Sequence, residues 1–182
     1  MSQHYVALLR GINVGRAKRV AMAELRAVVE RLGYGDVRTL LNSGNVVFTA
    51  TGRTAATAAT RIEHAVAEQL GVRSRITVLS AAELSAALSE HPLRAVADDP
   101  SRLMIAVPAT AADRGRLKRL LARDWSPDAL AIGSRVAFLW CADGILASPL
   151  MVEVARLLGD GVTCRNWATM SKLHALIEAP RR

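Results

Sequence analysis

The chain has little cysteine. Only Cys141 and Cys164 occur among 182 residues, which is too few for the disulfide framework of a small secreted domain. No Cys and His residues have the spacing of a zinc site, so we expect neither a structural metal nor any other cofactor. Two free thiols and a fold stabilised by its apolar core are the expectation.

Long apolar runs are also missing. No segment approaches the roughly 20 consecutive apolar residues that a membrane-spanning helix needs. Residues 1–5 show no basic region followed by the apolar block and cleavage site of a signal peptide. We therefore expect a cytoplasmic protein without a membrane partner.

Aromatic residues make up only 4% of the chain, whereas basic residues are in excess. The formal net charge is +8, and residues 1–80 hold 11 basic and 5 acidic residues. Clustered Lys and Arg attract phosphate through counterion release. RNA recognition on strand aromatics is disfavoured, because the corresponding third strand offers only Phe48. Phosphate contacts would dominate the binding of any nucleic acid.

Apolar periodicity in the first half predicts the element order βαββαβ. Strands are predicted at 5–9, 37–41, 46–49 and 76–79, and the two helices carry apolar stripes from Met22 and from Ala55. Gly33 and Gly71 are placed as the C-terminal stops of these helices. Asn42-Ser43-Gly44-Asn45 predicts a hairpin turn, since these residues tolerate positive φ.

The second half repeats this order. Ser80-Ala81-Ala82-Glu83 is a capping-box pattern that predicts a short helix, and a polar stretch follows at 97–101. Strands are predicted at 103–107, 130–132, 136–141 and 162–164, with helices that begin at Thr110 and Ser148. The first of these helices has Leu117, Leu120 and Leu121 as its expected buried stripe. A last helix carries Met170, Leu173, Leu176 and Ile177 on one face.

These patterns predict an α+β fold of two tandem ferredoxin-like (βαββαβ) subdomains with antiparallel sheets, an extra linker helix and a C-terminal helix. The predicted domains are a first lobe at 1–80, a helical linker at 81–101 and a second lobe with the C-terminal helix at 102–182. A single doubly wound sheet is disfavoured, because a purely parallel sheet cannot accommodate the tight hairpins.

Three segments carry a likeness to known proteins. They are Arg10-Gly11-Ile12-Asn13-Val14-Gly15 with Lys18, Leu41-Asn42-Ser43-Gly44-Asn45-Val46-Val47-Phe48, and Thr163-Cys164-Arg165-Asn166-Trp167 with Thr169 and Lys172-Leu173. Together they resemble a bacterial family catalogued as domain of unknown function 1697. The resemblance implies the two-lobed ferredoxin-like fold and implies no established activity or catalytic residue. One departure is Arg16, which stands where the family often has a second glycine.

The first candidate site is the loop 10–19, which leaves the first strand and enters the first helix. Its backbone N–H groups and the helix dipole can face an anion, with added positive charge from Arg10, Arg16, Lys18 and Arg19. Gly11 and Gly15 lack the following Gly-Lys-Ser/Thr of a nucleoside-triphosphate loop, so a turn with solvated charges is the alternative. For Asn13 we favour a bond to buried backbone groups over a ligand contact.

Two further segments are candidates. Ser43, Gly44 and Asn45 form the predicted hairpin tip, and their preference for tight turns is enough to explain them. A nucleophilic role for Ser43 is disfavoured, because no residue nearby in the sequence could act as its general base. Asn166 is a plausible N-cap of the last helix, Arg165 can reach an anion or a carboxylate, and Lys172 belongs to the same motif. Convergence of all three segments around one concavity would make them one site.

We predict a binding module for a phosphate-bearing ligand, nucleotide or nucleic acid, that uses the loop 10–19. One alternative is an enzyme on a small anionic substrate in the cleft between the lobes. Arg10, Lys18 and Arg165 would then hold the anion, and no catalytic residue is assigned. The other alternative is an oligomeric interaction protein that uses a free sheet face.

Overall fold

The computed structural model describes residues 2–14 and 18–179. Two compact units make up the chain: Met1–Ala82 with Leu173–Arg182, and Glu83–Lys172. The domain limits at residues 80 and 101 stay predictions.

The first unit follows the ferredoxin-like order. Its elements are β1 (Ser2–Leu9), α1 (Met22–Arg31), β2 (Gly35–Leu40), β3 (Asn45–Thr51), α2 (Ala55–Leu70) and β4 (Ile76–Ser80). The strands form one antiparallel sheet in the order β2-β3-β1-β4. The predicted ferredoxin-like fold class is therefore confirmed for this unit.

The first core lies between this sheet and its two helices. Leu9 of β1 packs in one cluster with Val28 of α1 and Ile62 of α2, and all three are fully buried. Val6 and Leu8, on the opposite face of β1, are fully buried as well. The uninterrupted apolar run at 5–9 thus corresponds to a strand that is buried on both faces.

Both helices of this unit end where their glycines predict. Gly33 has φ +82° and donates its N–H to the Glu30 carbonyl oxygen at 2.9 Å. Gly71 has φ +66° and donates to Ala67 at 3.1 Å. Because this left-handed conformation costs glycine no Cβ clash, each residue stops its helix cleanly.

The second half repeats the arrangement after α3 (Ala81–Glu90). Its elements are β5 (Leu103–Pro108), α4 (Ala111–Leu117), β6 (Ala129–Ile132), β7 (Ala137–Trp140), α5 (Pro149–Leu158), β8 (Val162–Asn166) and α6 (Trp167–Glu178). The sheet is again antiparallel, in the order β6-β7-β5-β8. The fold is therefore a mixed α+β fold that repeats one ferredoxin-like pattern.

The prediction that Leu121 is buried is wrong. After α4 the chain tightens into a 3-10 helix at Lys118–Ala122, where Leu117 and Leu120 are buried but Leu121 is 51% exposed. With three residues per turn, residues 117 and 120 share a face and residue 121 turns away from it.

No helix among residues 2–14 and 18–179 is both long enough and apolar enough to cross a membrane.

Candidate functional site

Two of the three candidate segments meet at one end of the first sheet. The Leu9 N–H donates to the Gly44 carbonyl oxygen at 2.8 Å, where the hairpin tip passes the end of β1. Gly44 has φ +80°, and a Cβ built there would lie 2.7 Å from Ile12 Cδ1. Glycine at position 44 therefore allows the hairpin tip and the loop 10–19 to pack directly together.

Asn13 joins the two described parts of the loop 10–19, which end at Val14 and resume at Lys18. Its Nδ2 donates to the carbonyl oxygens of Val20 at 2.9 Å and Asn42 at 2.7 Å, and its Oδ1 accepts from the Val20 N–H at 2.9 Å. The Asn13 N–H donates to the Lys18 carbonyl oxygen at 3.0 Å. Asn13 adopts φ +54°, a conformation that asparagine tolerates better than most residues. These contacts match the backbone role that we favoured for this side chain.

The hairpin tip uses Ser43 and Asn45 for its own structure. Asn45 is fully buried, and its Nδ2 donates to the Leu40 carbonyl oxygen at 2.8 Å and to Ser43 Oγ at 2.9 Å. The positive φ values fall on Leu41, at +58°, and on Gly44. The sequence interpretation placed them within residues 42–45, so Leu41 is an addition, and its exposed side chain is free of core packing.

The segment 73–75 adds two arginines that sequence reasoning missed. The Arg10 N–H donates to the Arg75 carbonyl oxygen at 3.0 Å, and Ser74 Oγ donates to the Arg10 carbonyl oxygen at 2.8 Å. The cause is the pairing of Leu9 with Ile76 between the antiparallel strands β1 and β4. The βαββαβ order predicts that pairing, so it could have located Arg73 and Arg75 beside the loop.

We call this end of the sheet the basic end, defined by Arg10, Lys18, Arg19, Arg73 and Arg75. Arg10 is half-buried and the other four side chains are exposed. Arg75 lies 3.9 Å from Glu63, whose other carboxylate oxygen accepts from the Ile76 N–H at 3.1 Å. In the part of the chain that the structure describes, no carboxylate lies within 4.0 Å of Lys18, Arg19 or Arg73.

Helix α1 begins beside these cations. Its N-cap residue, Ala21, is exposed, and no described side chain caps the helix, whereas Thr54 caps α2 and Ser148 caps α5. The N–H groups of an uncapped first turn remain available to water or to an anion. Glu24 in that turn opposes an anion by its charge, so the arginines and Lys18 must outweigh it.

Gly15 and Arg16, which belong to the predicted site, lie outside the described residues. The loop is described up to Val14 and again from Lys18, which has φ +51°.

The third candidate segment belongs to the second unit. Arg165 lies in β8 opposite Ile105, and its Nη1 donates to the Cys164 carbonyl oxygen at 2.8 Å. Burial of the guanidinium lowers the pKa of Arg165 to about 10, while the Cys164 thiol acts in the opposite direction. Arg165 therefore still carries its charge at neutral pH. Convergence of this segment with the other two stays a prediction.

Asn166 and Lys172 flank the start of α6. Asn166 Oδ1 accepts from the Thr169 N–H at 2.9 Å, which is the geometry of a helix N-cap. Lys172 is exposed on α6. Among the described residues, no three His, Cys, Asp or Glu side chains are grouped as a metal site would require.

Comparison with protein families shows which family this chain belongs to. A family described as "Protein of unknown function (DUF1697)" matches residues 1–138. The chain belongs to this family. The DUF1697 match contains the loop 10–19 and the hairpin tip, and it ends before Arg165.

A solved structure is also similar to this DUF1697 chain. It is described as a conserved bacterial protein from Streptococcus pneumoniae, and the two chains share 23% sequence identity with a TM-score of 0.77. The alignment covers 97% of this chain and 99% of the other. At that identity the likeness shows the fold alone. Comparison with curated proteins gave no match.

Proposed function

We propose that this protein is a cytoplasmic binding module for a phosphate-bearing ligand, nucleotide or nucleic acid, which it binds at the basic end. The observation that carries the proposal is that main-chain contacts bring the segments of Lys18, Arg19 and Arg73 to the same loop, beside an uncapped helix start. All three side chains are exposed and have no carboxylate partner among the described residues. A cytoplasmic location agrees with two cysteines that are both thiols.

Charge at the basic end favours phosphate over a neutral ligand. The Debye length is about 8 Å at physiological ionic strength, so cations that surround one loop act on the same bound anion. The uncapped N–H groups of α1 add donors that point along the helix axis. Phosphate is the common anion that accepts bonds both from such N–H groups and from guanidinium forks.

The described parts of the loop 10–19 are held in place before any ligand arrives. Asn13 makes three side-chain hydrogen bonds to the main chain of Val20 and Asn42, and Ser74 and Arg75 fix the backbone of Arg10. A pre-ordered loop pays little conformational entropy when it binds. This order supports a binding role for a loop that has no sequence motif of a nucleotide-binding enzyme.

Aromatic side chains of the first unit are not available for base stacking. Phe48 is fully buried in the core, with ring centroids 5.6 Å from Tyr5 and 4.7 Å from Tyr34. Bases therefore cannot stack on these aromatic side chains, and contacts to phosphate would supply the binding of a nucleic acid. A nucleic acid bound in this way would be recognised with little sequence preference.

The test is a fluorescence anisotropy titration of labelled single-stranded RNA and DNA 12-mers at low salt, with ATP and inorganic phosphate as competitors. The double variant R19Q/R73Q removes two charges from the basic end. The matched control R26Q/R31Q removes two exposed charges from α1. We expect the first variant to lose about ten-fold or more in affinity and the control to lose much less.

Either of two results would reject the proposal. One is that folded wild-type protein shows no affinity for any of these ligands at low salt. The other is that the two double variants lose affinity equally, which would indicate non-specific attraction to net charge.

A further inference from the structure

A second polar cavity lies in the first unit, away from the basic end. It has a volume of about 330 Å³, and the lining residues that matter are Ser2, Tyr34, Thr49, Thr51, Arg53 and Arg61. Ser2 pairs with Thr51 at one end of β1, whereas Leu9 contacts the basic end at the other. Across the eight residues of β1 the two places are roughly 23 Å apart. We call this cavity the Tyr34 cleft.

An irregularity in the sheet adjoins the Tyr34 cleft. The register between β2 and β3 shifts between Gly35 and Arg38, and Asp36 adopts φ +47°. Gly35 pairs with Thr49, and a Cβ built at Gly35 would lie 2.8 Å from Thr49 Oγ1. Bulges of this kind commonly redirect side chains next to sites. Glycine at position 35 therefore avoids a clash with the Thr49 hydroxyl.

Two arginines line the Tyr34 cleft: the fold holds the guanidinium of Arg61 and the main chain of Arg53. Arg61 Nη2 donates to the Leu32 carbonyl oxygen at 3.3 Å, and its guanidinium lies 5.6 Å from the ring centroid of Tyr34. The Arg53 carbonyl oxygen accepts from the Tyr5 hydroxyl at 2.5 Å. Among the residues that the structure describes, no carboxylate lies within 4.0 Å of either guanidinium. Both therefore keep N–H groups for a ligand.

The Tyr34 hydroxyl supplies an independent observation. Tyr34 is only 6% exposed, and its buried hydroxyl has no hydrogen-bond partner among the described residues. An unsatisfied buried hydroxyl costs stability, and most such groups in native proteins have a partner. The hydroxyl oxygen is itself shielded from solvent, so an acceptor atom in the cleft would provide that partner only after a local shift of the Tyr34 side chain or its neighbours.

We propose that the Tyr34 cleft binds a small phosphomonoester, with Arg53 and Arg61 on the phosphate and the Tyr34 hydroxyl as a further donor. A phosphate offers three terminal acceptor oxygens, which suits two guanidinium forks and a hydroxyl better than the two oxygens of a carboxylate. The volume exceeds that of a phosphate group and lies at the lower end of ligand cavities, so it also admits a short carbon skeleton.

The test uses the full chain and isothermal titration calorimetry with glycerol 3-phosphate, inorganic phosphate, glycerol and acetate. We expect saturable binding of the two phosphates and none of glycerol or acetate. Arg53→Gln and Tyr34→Phe should each weaken glycerol 3-phosphate binding about ten-fold or more, since each removes a bond to a charged group. Arg31→Gln, which removes an exposed charge from α1, should bind as the wild type does.

Stability of the free protein separates binding from folding. Tyr34→Phe should leave the melting temperature unchanged or raise it, because the lost hydroxyl had no partner. Equal binding by wild type, Tyr34→Phe and Arg53→Gln would overturn the proposal, as would the absence of binding by folded wild type. Acetate binding as strong as phosphate binding would overturn the phosphate assignment.

The variant R19Q/R73Q distinguishes this cleft from the basic end. It should remove only the phosphate binding that the basic end contributes, and the glycerol 3-phosphate binding that Arg53→Gln weakens should persist in it. If R19Q/R73Q abolishes glycerol 3-phosphate binding while Arg53→Gln does not, the Tyr34 cleft is not the binding site. Glycerol 3-phosphate would then bind at the basic end.

Discussion

The side-chain amide of Asn13 donates to the main-chain carbonyl oxygen of Asn42 at 2.7 Å, across 29 positions of the sequence. This bond joins the loop after β1 to the tip of the β2-β3 hairpin. Two of the three motifs by which the chain resembles its family therefore meet in one packed corner of the first unit.

Replacement of Asn13 tests how much this corner contributes to stability. Asn13→Gly keeps the positive φ accessible but removes three hydrogen bonds, so we expect the free energy of unfolding to fall by about 2–4 kcal/mol. Asn13→Ala should lose about 1 kcal/mol more, because alanine is strained at φ +54°. Urea denaturation measures both variants. A loss below about 1 kcal/mol in the glycine variant would contradict the role of these bonds.

Gly44→Ala tests the close approach between the hairpin tip and the loop. The new Cβ would lie 2.7 Å from Ile12 Cδ1 and 2.8 Å from Leu9 Cβ, at φ +80°. Strain and overpacking together should cost about 2–5 kcal/mol. Gly71→Ala is the matched control, because its φ is +66° and nothing lies within 4 Å of the new Cβ. Thermal denaturation should show the control losing only the strain part, about 1–2 kcal/mol.

The salt dependence of nucleic-acid affinity tests whether Arg19 and Arg73 contact phosphate groups. Each phosphate neutralised on a single strand contributes about −0.7 to the slope of log affinity against log salt concentration. Removal of two contacts in R19Q/R73Q should therefore make the slope less steep by about 1.4. Anisotropy titrations measure this slope between about 50 and 200 mM salt, a range in which the affinity of such complexes falls steeply. An unchanged slope would show that these two side chains do not contact phosphate.

His91 makes the stability of the second unit depend on pH. Its ring centroid lies 4.3 Å from that of Trp167, and burial, with a smaller effect of the Arg94 charge, lowers the pKa of His91 below 6.5. The unfolded chain therefore takes up the proton at a higher pH than the folded chain does. The contribution of neutral His91 is complete above pH 6.5 and is lost as pH falls through the folded-state pKa.

The expected result is a pH-dependent difference between wild type and His91→Gln. Urea denaturation at pH 8, 6.5 and 5 should show wild type losing more stability than the variant on acidification. A difference that stays constant over this range would contradict the lowered pKa.

Asn166→Ala tests the N-cap of α6. Loss of the bond from the Thr169 N–H should cost about 1 kcal/mol, whereas Asn166→Ser keeps a capping oxygen and should cost only a few tenths. Circular dichroism during urea denaturation measures the difference. Equal losses in the two variants would show that the side-chain oxygen is not what stabilises this helix start.

The parts of the fold that the sequence predicts correctly are those that depend on residues close together in the chain. The buried strand at 5–9 and the stops at Gly33 and Gly71 each depend on residues within one element, so a short window contains the physical cause. Leu121 was predicted to be buried because an α-helical stripe was assumed. The tighter winding at Lys118–Ala122 turns it outward.

The candidate site depends more on pairing between distant residues. Arg73 and Arg75 reach the loop 10–19 only through the β1-β4 ladder, and their own surroundings in sequence carry no motif. The Tyr34 cleft likewise combines residues of several elements beside a register shift at Gly35, which no residue pattern indicates. Asn13 was singled out on a local signal, since a polar residue between Ile12 and Val14 must find partners, and its backbone bonds agree with that signal.

The bond from Ser74 Oγ to the Arg10 carbonyl oxygen closes a loop of 64 residues. Such a closure carries a large entropic cost and forms only when β1 and β4, the first and last strands in sequence of the first sheet, are paired. A ligand that spans Arg10 and Arg73 would therefore bind the complete unit and not a fragment of it. Its binding free energy would add to the global stability of the unit, so slowed hydrogen exchange throughout the sheet would accompany occupancy.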